Sequence, residues 1–340
     1  MRSSFVRGAK HAFAGALVAS CGYASGPSLK RSNEKDRKVK CLRCSSSFAY
    51  IILELLLAKG ELRRKVKHTV FYFEGYEKTK LRGQSWVPDR PKAIVAVIHG
   101  VGSHSGGISN LTEPLTEAGY AVFSYDLRGH GRSEGQRGLI RSFVEYREDT
   151  CLFMRHVVGC GEPLPVFLVG HSLGGVVALD YTVFVQPDFL ESIVLICPAL
   201  MPNRIQTYLN SIDSATADDA SYEGKPDFEM LTSDLHVIDR FQADPLRHHA
   251  KTAGLHRGTL RTLKALFDDP ARLHIPLLLL QGGRDEIVPP SEPRAYYDAL
   301  PDAHGKHRYI LYPDMKHNPH DEVGRERAIG DILAWIQSFH

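Results

Sequence analysis

The 340-residue sequence predicts an α/β domain, a mostly parallel sheet with helices on both faces. Three observations carry that prediction. From residue 68 onward, short apolar runs alternate with longer segments of helical periodicity, the spacing of strands joined by crossover helices. The runs are continuously apolar, as in strands buried on both sides. Finally, Val166-Phe167-Leu168-Val169-Gly170-His171-Ser172-Leu173-Gly174-Gly175 sets a sharp Gly-x-Ser-x-Gly turn between an apolar run and a second one with room for a helix.

In chain order, residues 69–73 and 82–87 read as an antiparallel pair and 93–98 as a fully apolar strand. A glycine-rich loop, His99-Gly100-Val101-Gly102-Ser103-His104-Ser105-Gly106-Gly107, leads to a helix over 110–118 and a strand over 121–125. The loop Asp126-Leu127-Arg128-Gly129-His130-Gly131-Arg132-Ser133-Glu134-Gly135 follows, then a helix over 142–158 and the strand and turn at Ser172. Beyond them come strand 192–196, an insertion over about 198–272, strand 276–280, helix 291–300, strand 308–312 and a last helix over 321–339. The insertion lies outside the alternation. Its pieces Phe228-Glu229-Met230-Leu231 and Leu260-Arg261-Thr262-Leu263-Lys264-Ala265-Leu266-Phe267 have helical spacing, as expected of a cap over the carboxyl edge of the sheet that encloses an apolar pocket.

Composition bounds the rest. With 43% hydrophobic and 24% charged residues the chain can bury a large core. Residues 1–67 carry 15 Lys and Arg against 4 Asp and Glu, and the remainder 27 against 35. A basic front on an acidic body argues against nucleic acid as the partner and allows the front to meet anionic lipid. The domains are therefore a basic extension over 1–67 and a catalytic-size domain over 68–340.

Within the extension, Arg2, Arg7 and Lys10 precede an apolar run that ends Leu17-Val18-Ala19-Ser20-Cys21, the pattern of a bacterial lipoprotein signal, so membrane attachment through Cys21 is one expectation and a cytoplasmic protein with a non-native or misassigned start the other. Residues 48–58 are too short to span a bilayer, which takes about 20 residues, but suit its surface. Cys41-x-x-Cys44 lacks a second ligand pair for zinc, and Cys151, Cys160 and Cys197 lie in or beside apolar runs, as buried thiols do.

A serine hydroxyl is a weak nucleophile at neutral pH and needs a histidine within hydrogen-bond reach and an acid to orient it. At usual Gly and Ser frequencies the Gly-x-Ser-x-Gly pattern arises by chance in roughly one such chain in ten, so the partners decide its worth. Parallel strands end on one edge, and the loops just beyond later strands supply Asp285 and His317, each five residues past its expected strand end. His320 competes with His317, and Asp314 and Glu286 with Asp285. The order Ser172, Asp285, His317 is that of a nucleophile-elbow hydrolase. The backbone amides of Leu173 and Val101 are the candidate oxyanion donors. His248, His249 and His256 lack the companion ligands of a metal site, and the chemistry calls for no metal or organic cofactor.

Together, the loops at 99–106 and 126–135, Gly170-His171-Ser172-Leu173-Gly174-Gly175, Asp285, Met315-Lys316-His317 and Gln242-Ala243-Asp244-Pro245-Leu246 resemble the monoacylglycerol lipase and lysophospholipase branch of the α/β-hydrolases over residues 68–340. The resemblance implies an eight-stranded α/β-hydrolase fold, a helical cap and hydrolysis of single-chain acyl esters through Ser172, Asp285 and His317. A short-chain carboxylesterase, a thioesterase, an acyltransferase or a non-catalytic binding protein could use the same scaffold. Where that branch has glutamate ahead of His104-Ser105-Gly106 this chain has Ser103, and Gly107-Ile108 stand in place of an arginine–tyrosine pair, which bears on headgroup recognition.

Overall fold

The computed structural model describes residues 65–159, 163–223, 227–301 and 305–340. The expectations for a lipoprotein signal, Cys21, Cys41-x-x-Cys44, the surface-seeking segment 48–58 and the Cys160 thiol all fall outside the described residues.

An eight-stranded sheet organises the chain. Its strands are β1 (Val66–Glu74), β2 (Lys80–Pro88), β3 (Ile94–Ile98), β4 (Ala121–Tyr125), β5 (Val166–His171), β6 (Leu190–Ile196), β9 (Leu277–Gly282) and β10 (Arg308–Tyr312), in the order β1-β2-β4-β3-β5-β6-β9-β10. β1 and β2 pair antiparallel, as do β2 and β4, and every pair from β4 to β10 is parallel. This is the eight-stranded, mostly parallel sheet that the sequence predicts.

Alternation along the strands feeds two cores. Ile94, Ala96 and Ile98 of β3 face one side with Phe153 of α2 (Val144–Val158) and Val176 and Val177 of α3 (Leu173–Val185). Val95 and Val97 face the other, with Leu111 and Leu115 of α1 (Ser109–Glu117) and Ile329, Ile332 and Ile336 of α8 (Glu326–Gln337). Both faces of each central strand are therefore dry, which is why those runs carry no polar alternation.

The registers also align the strand ends. Ile98 pairs with Gly170, His171 with Ile196, Ile196 with Leu280, and Gly282 with Tyr312. The loops after β3, β5, β9 and β10 consequently open on one edge.

Between β6 and β9 lie α4 (Pro202–Asn210), the small antiparallel pair β7 (Ser221–Glu223) and β8 (Ala250–Thr252), α5 (Leu235–Gln242) and α6 (Ala253–Asp268). Phe228, Val237, Ile238 and Phe241 form a small apolar cluster of their own. α6 behaves differently: Leu263 and Leu266 join the core under the sheet, and Thr262 Oγ1 donates to Asp180 of α3 at 2.7 Å.

The last helix begins at Glu326, later than the 321 expected from its apolar periodicity. Asp321 and Glu322 serve tertiary contacts instead, accepting from Asn110 Nδ2 at 2.8 Å and from the Ser233 amide at 2.7 Å. Among the described residues no helix is long and apolar enough to cross a membrane.

Candidate active site

Ser172 stands between β5 and α3 with φ 53° and ψ −119°, a left-handed conformation that costs a non-glycine residue on the order of 1–3 kcal/mol. The surrounding packing holds it there. Its amide donates to the Ile196 carbonyl at 3.0 Å, and its carbonyl accepts from the amides of Gly175 and Ala199, both at 3.0 Å. The flanking glycines are required by contact. A Cβ on Gly170 would stand 2.3 Å from the Gly174 carbonyl oxygen, and one on Gly174 would stand 2.3 Å from the Ile98 carbonyl oxygen.

The loops after β9 and β10 bring Asp285 and His317 to this turn. His317 Nε2 lies 2.9 Å from Ser172 Oγ, and His317 Nδ1 lies 2.7 Å from Asp285 Oδ2. With the carboxylate facing Nδ1, the proton belongs on Nδ1 and Nε2 is left to accept from the serine hydroxyl. Asp285 is itself tied down: Oδ1 accepts from the amides of Ile287 and Val288 at 2.9 and 2.8 Å, and Oδ2 from Gln281 Nε2 at 3.0 Å. Burial would raise its pKa, but His317 and the two amides hold it below the usual carboxylate range. A buried serine, imidazole and ionised carboxylate in one hydrogen-bonded line can pass a proton from hydroxyl to imidazole and stabilise the resulting imidazolium.

The rivals are placed elsewhere. His320 is buried, meets the His171 ring at 4.7 Å and has Nε2 3.5 Å from Asp321, with no hydrogen bond to Ser172. Asp314 pairs with Arg327 at 2.6 Å on the surface, and Glu286 is exposed. His248 meets His130 at 4.6 Å, whereas His249 lies against Phe228 and His256 against Tyr208. Cys197 is buried and Cys151 half-buried.

Among the described residues, the one group of metal-type ligands within mutual reach is Cys197, Asp285 and His317. An ion there would have to break the 2.7 Å Asp285–His317 bond and deprotonate a thiol that burial, then Asp285, push well above its usual range.

The oxyanion candidates flank the serine. Leu173 begins α3, where an amide has no acceptor within the helix. A Cβ on Gly100 would stand 3.0 Å from Ser172 Cβ, so the loop after β3 runs directly beside the hydroxyl.

The sequence reading missed how that loop is oriented. His99, fully buried, accepts at Nε2 from the Leu127 amide at 3.0 Å and donates from Nδ1 to the Gly100 carbonyl at 2.8 Å. Carbonyl and N–H of one trans peptide point opposite ways, so fixing the Gly100 carbonyl turns the Val101 amide away from His99. Among seventeen histidines the only local signal was its position immediately before the glycine.

A cavity of about 420 Å³ opens above Ser172, lined by Val101, Met201, Ile205, Phe228, Leu231 and Ile287 along with His317 and Arg247. Its size and its mixed lining, apolar side chains beside charged ones such as Arg204, Lys251 and Asp321, suit a small-molecule ligand with an apolar and a polar part.

Residues 89–324 match the family model described as serine aminopeptidase, S33. The chain is 28% identical to a monoacylglycerol lipase of Mycolicibacterium smegmatis over 78% of this chain and 96% of that protein. It is 30% identical to phospholipase YtpA of Bacillus subtilis over 75% of this chain and 99% of that one. An uncharacterized abhydrolase domain-containing protein of Dictyostelium discoideum is 28% identical over 77% of this chain, which spans only 28% of that protein's length. Among solved structures, the monoacylglycerol lipase of Paleococcus ferrophilus superposes with a TM-score of 0.64 at 25% identity, covering 81% of this chain and 100% of that one.

Proposed function

The chain belongs to the serine aminopeptidase, S33 family of α/β-hydrolases and is a carboxylic ester hydrolase similar to monoacylglycerol lipases, and from that premise we propose that it cleaves esters of single-chain lipids, monoacylglycerols or lysophospholipids, by serine catalysis. Ser172 Oγ attacks the ester carbonyl carbon as His317 Nε2 takes its proton. The amides of Val101 and Leu173 hold the developing oxyanion, each contributing about 3 kcal/mol at the transition state. Collapse of the tetrahedral intermediate expels the alcohol, which His317 protonates, and leaves the acyl group on Ser172. Water, deprotonated by His317, attacks that acyl-enzyme and releases the fatty acid. Asp285 stays ionised throughout and stabilises the imidazolium.

In this reading residues 198–272 act as the cap over the acyl pocket, and residues 1–67 hold the chain at an anionic membrane surface. The observation that carries the reading is the hydrogen-bonded line Ser172 Oγ–His317 Nε2 at 2.9 Å and His317 Nδ1–Asp285 Oδ2 at 2.7 Å beneath the cavity. Ser172→Ala is expected to lower kcat on a monoacylglycerol by about 10⁴-fold or more while the protein stays folded. Turnover at the native rate would overturn the mechanism. A profile over acyl-chain length, with acyl thioesters included, separates a lipid esterase from a short-chain carboxylesterase or thioesterase.

A further inference from the structure

Cys197 joins the turn that carries the nucleophile to the loop that carries the acid. It follows the last residue of β6 and is fully buried with φ 41°, a left-handed conformation that is costly for any residue but glycine. On one side its segment grips Ser172, where the Ile196 carbonyl accepts from the serine amide and the Ala199 amide donates to the serine carbonyl, both at 3.0 Å. On the other it grips β9. The Cys197 amide donates to the Leu280 carbonyl at 2.8 Å, and Sγ accepts from the Gly282 amide at 3.3 Å.

Gly282 opens the loop that ends at Asp285, and that loop is bonded in turn to the loop of His317. The Gly283 amide donates to the Tyr312 carbonyl at 2.7 Å and the Arg284 amide to the Met315 carbonyl at 2.9 Å. The two loops are in close contact: a Cβ on Gly282 would stand 2.0 Å from the Lys316 carbonyl oxygen. A displacement at Gly282 would therefore reach both the acid and the base.

The thiol also reaches the charged groups themselves. Sγ, a carboxylate oxygen of Asp285 and a ring nitrogen of His317 lie within 4.8 Å of one another, and the sulfur hydrogen-bonds to Asp285. Burial, then the Asp285 charge, push the thiol pKa well above its usual range, so the sulfur keeps its proton at neutral pH and is the donor in that bond.

Resting on the serine-hydrolase reading above, we propose that Cys197 is a positioning residue for the reaction: its sulfur accepts from the Gly282 amide and gives its proton to Asp285, which fixes the carboxylate against His317. It touches neither the substrate nor the serine hydroxyl and acts through the acid alone. Without it the Gly282 amide and one hydrogen bond of Asp285 would be left unmade in a dry site, where a weak bond counts for more than in water.

Three variants of the full chain separate the polarity of the thiol from its volume and from the backbone beneath it. Cys197→Ala removes donor and acceptor, Cys197→Gly does so while relieving the left-handed backbone, and Cys197→Ser restores both. On a monoacylglycerol, Cys197→Ala and Cys197→Gly are expected to lower kcat about tenfold with KM within about twofold of native. Both should move the acid limb of kcat/KM up by about half a pH unit, because a carboxylate stripped of a donor holds an imidazolium more tightly. Cys197→Ser should return kcat to within about threefold of native and the limb to its native position. Asp285 and His171, whose ring lies 5.1 Å from that of His317, are unchanged in all three, so a shift of the limb reports the thiol.

Native kcat in Cys197→Ala or Cys197→Gly overturns the assignment, as does a loss of kcat with the limb unmoved, or a Cys197→Ser protein as impaired as Cys197→Ala. Failure of both Cys197→Ala and Cys197→Gly to fold overturns it as well, since the role would then be structural. Ser172→Ala in the same assay keeps the two readings apart. Turnover there at the native rate removes the serine reading and this assignment with it, whereas native kinetics in the Cys197 variants beside an inactive Ser172→Ala removes this assignment alone.

Discussion

Asp285 is buried and still charged, because two amides, one carboxamide and an imidazole surround its oxygens. Its folded pKa lies below the usual 3.8, so the ionised form is present above that value and is lost only as pH falls through the lower folded value. Protonation of Asp285 is therefore expected to add no second proton to the acid limb of kcat/KM above about pH 4. A two-proton slope in that range would count against the assignment. Asp285→Asn, which cannot hold the Nδ1 proton, should lower kcat about 10⁴-fold.

His99 makes a second residue-scale prediction. His99→Phe keeps the ring and removes both the Leu127 and Gly100 hydrogen bonds, freeing the peptide that carries the Val101 amide. Steady-state kinetics should show kcat reduced roughly 10²-fold with KM little changed, the signature of a lost oxyanion contact. Ser172, Asp285 and His317 could be picked from the sequence because each sits just past an apolar strand. His99 could not, since its contacts depend on Gly100 and Leu127, partners that no local spacing reveals.

At the scale of elements, the turn between β5 and α3 works because strand, serine and helix approach without side chains between them. Gly174→Ala would drive a methyl into the carbonyls of Ile98 and His99, at 2.3 and 2.5 Å, which are backbone atoms of a central strand and the loop that follows it. The cost is expected to be about 3 kcal/mol or more, read as a lower melting temperature together with lost esterase activity. Gly330→Ala is the contrasting case. That residue is exposed within α8, nothing lies within 4 Å of its Cβ position, and the substitution should stabilise the protein by roughly 0.5–1 kcal/mol. β4 coincides with the span expected from the sequence, since a continuous apolar run marks a strand buried in a sheet, and the edge strand β10 coincides as well although only its Tyr312 is buried. The start of α8 was misjudged because Asp321 and Glu322, compatible with a first helical turn, are taken by Asn110 and Ser233 from distant parts of the chain.

Across the whole molecule, burial of neutral histidines links folding to protons. Burial lowers His99 to about 3 and His248 to about 4, carries His130 and His171 well below 6.5, and lowers His320 as well. Each binds a proton near pH 6.5 when unfolded but not when folded, so stability is lost as pH falls from about 6.5 toward the folded values. The slope is up to about 1.4 kcal/mol per pH unit for each histidine. Asp149 and Glu292, both raised by burial, act in the opposite sense nearer the carboxylate range. Denaturant titrations should show stability falling steeply between pH 6.5 and 5, and a flat profile there would contradict the linkage. The sequence by itself determined the sheet, the turn at Ser172 and the chain order of serine, acid and base, because hydrophobic periodicity and glycine placement are local properties. Only the tertiary structure decided that His317 and not His320 meets the serine and that His99 holds the peptide after Gly100. Those depend on strand register and on contacts between loops far apart in the chain, which no local pattern encodes.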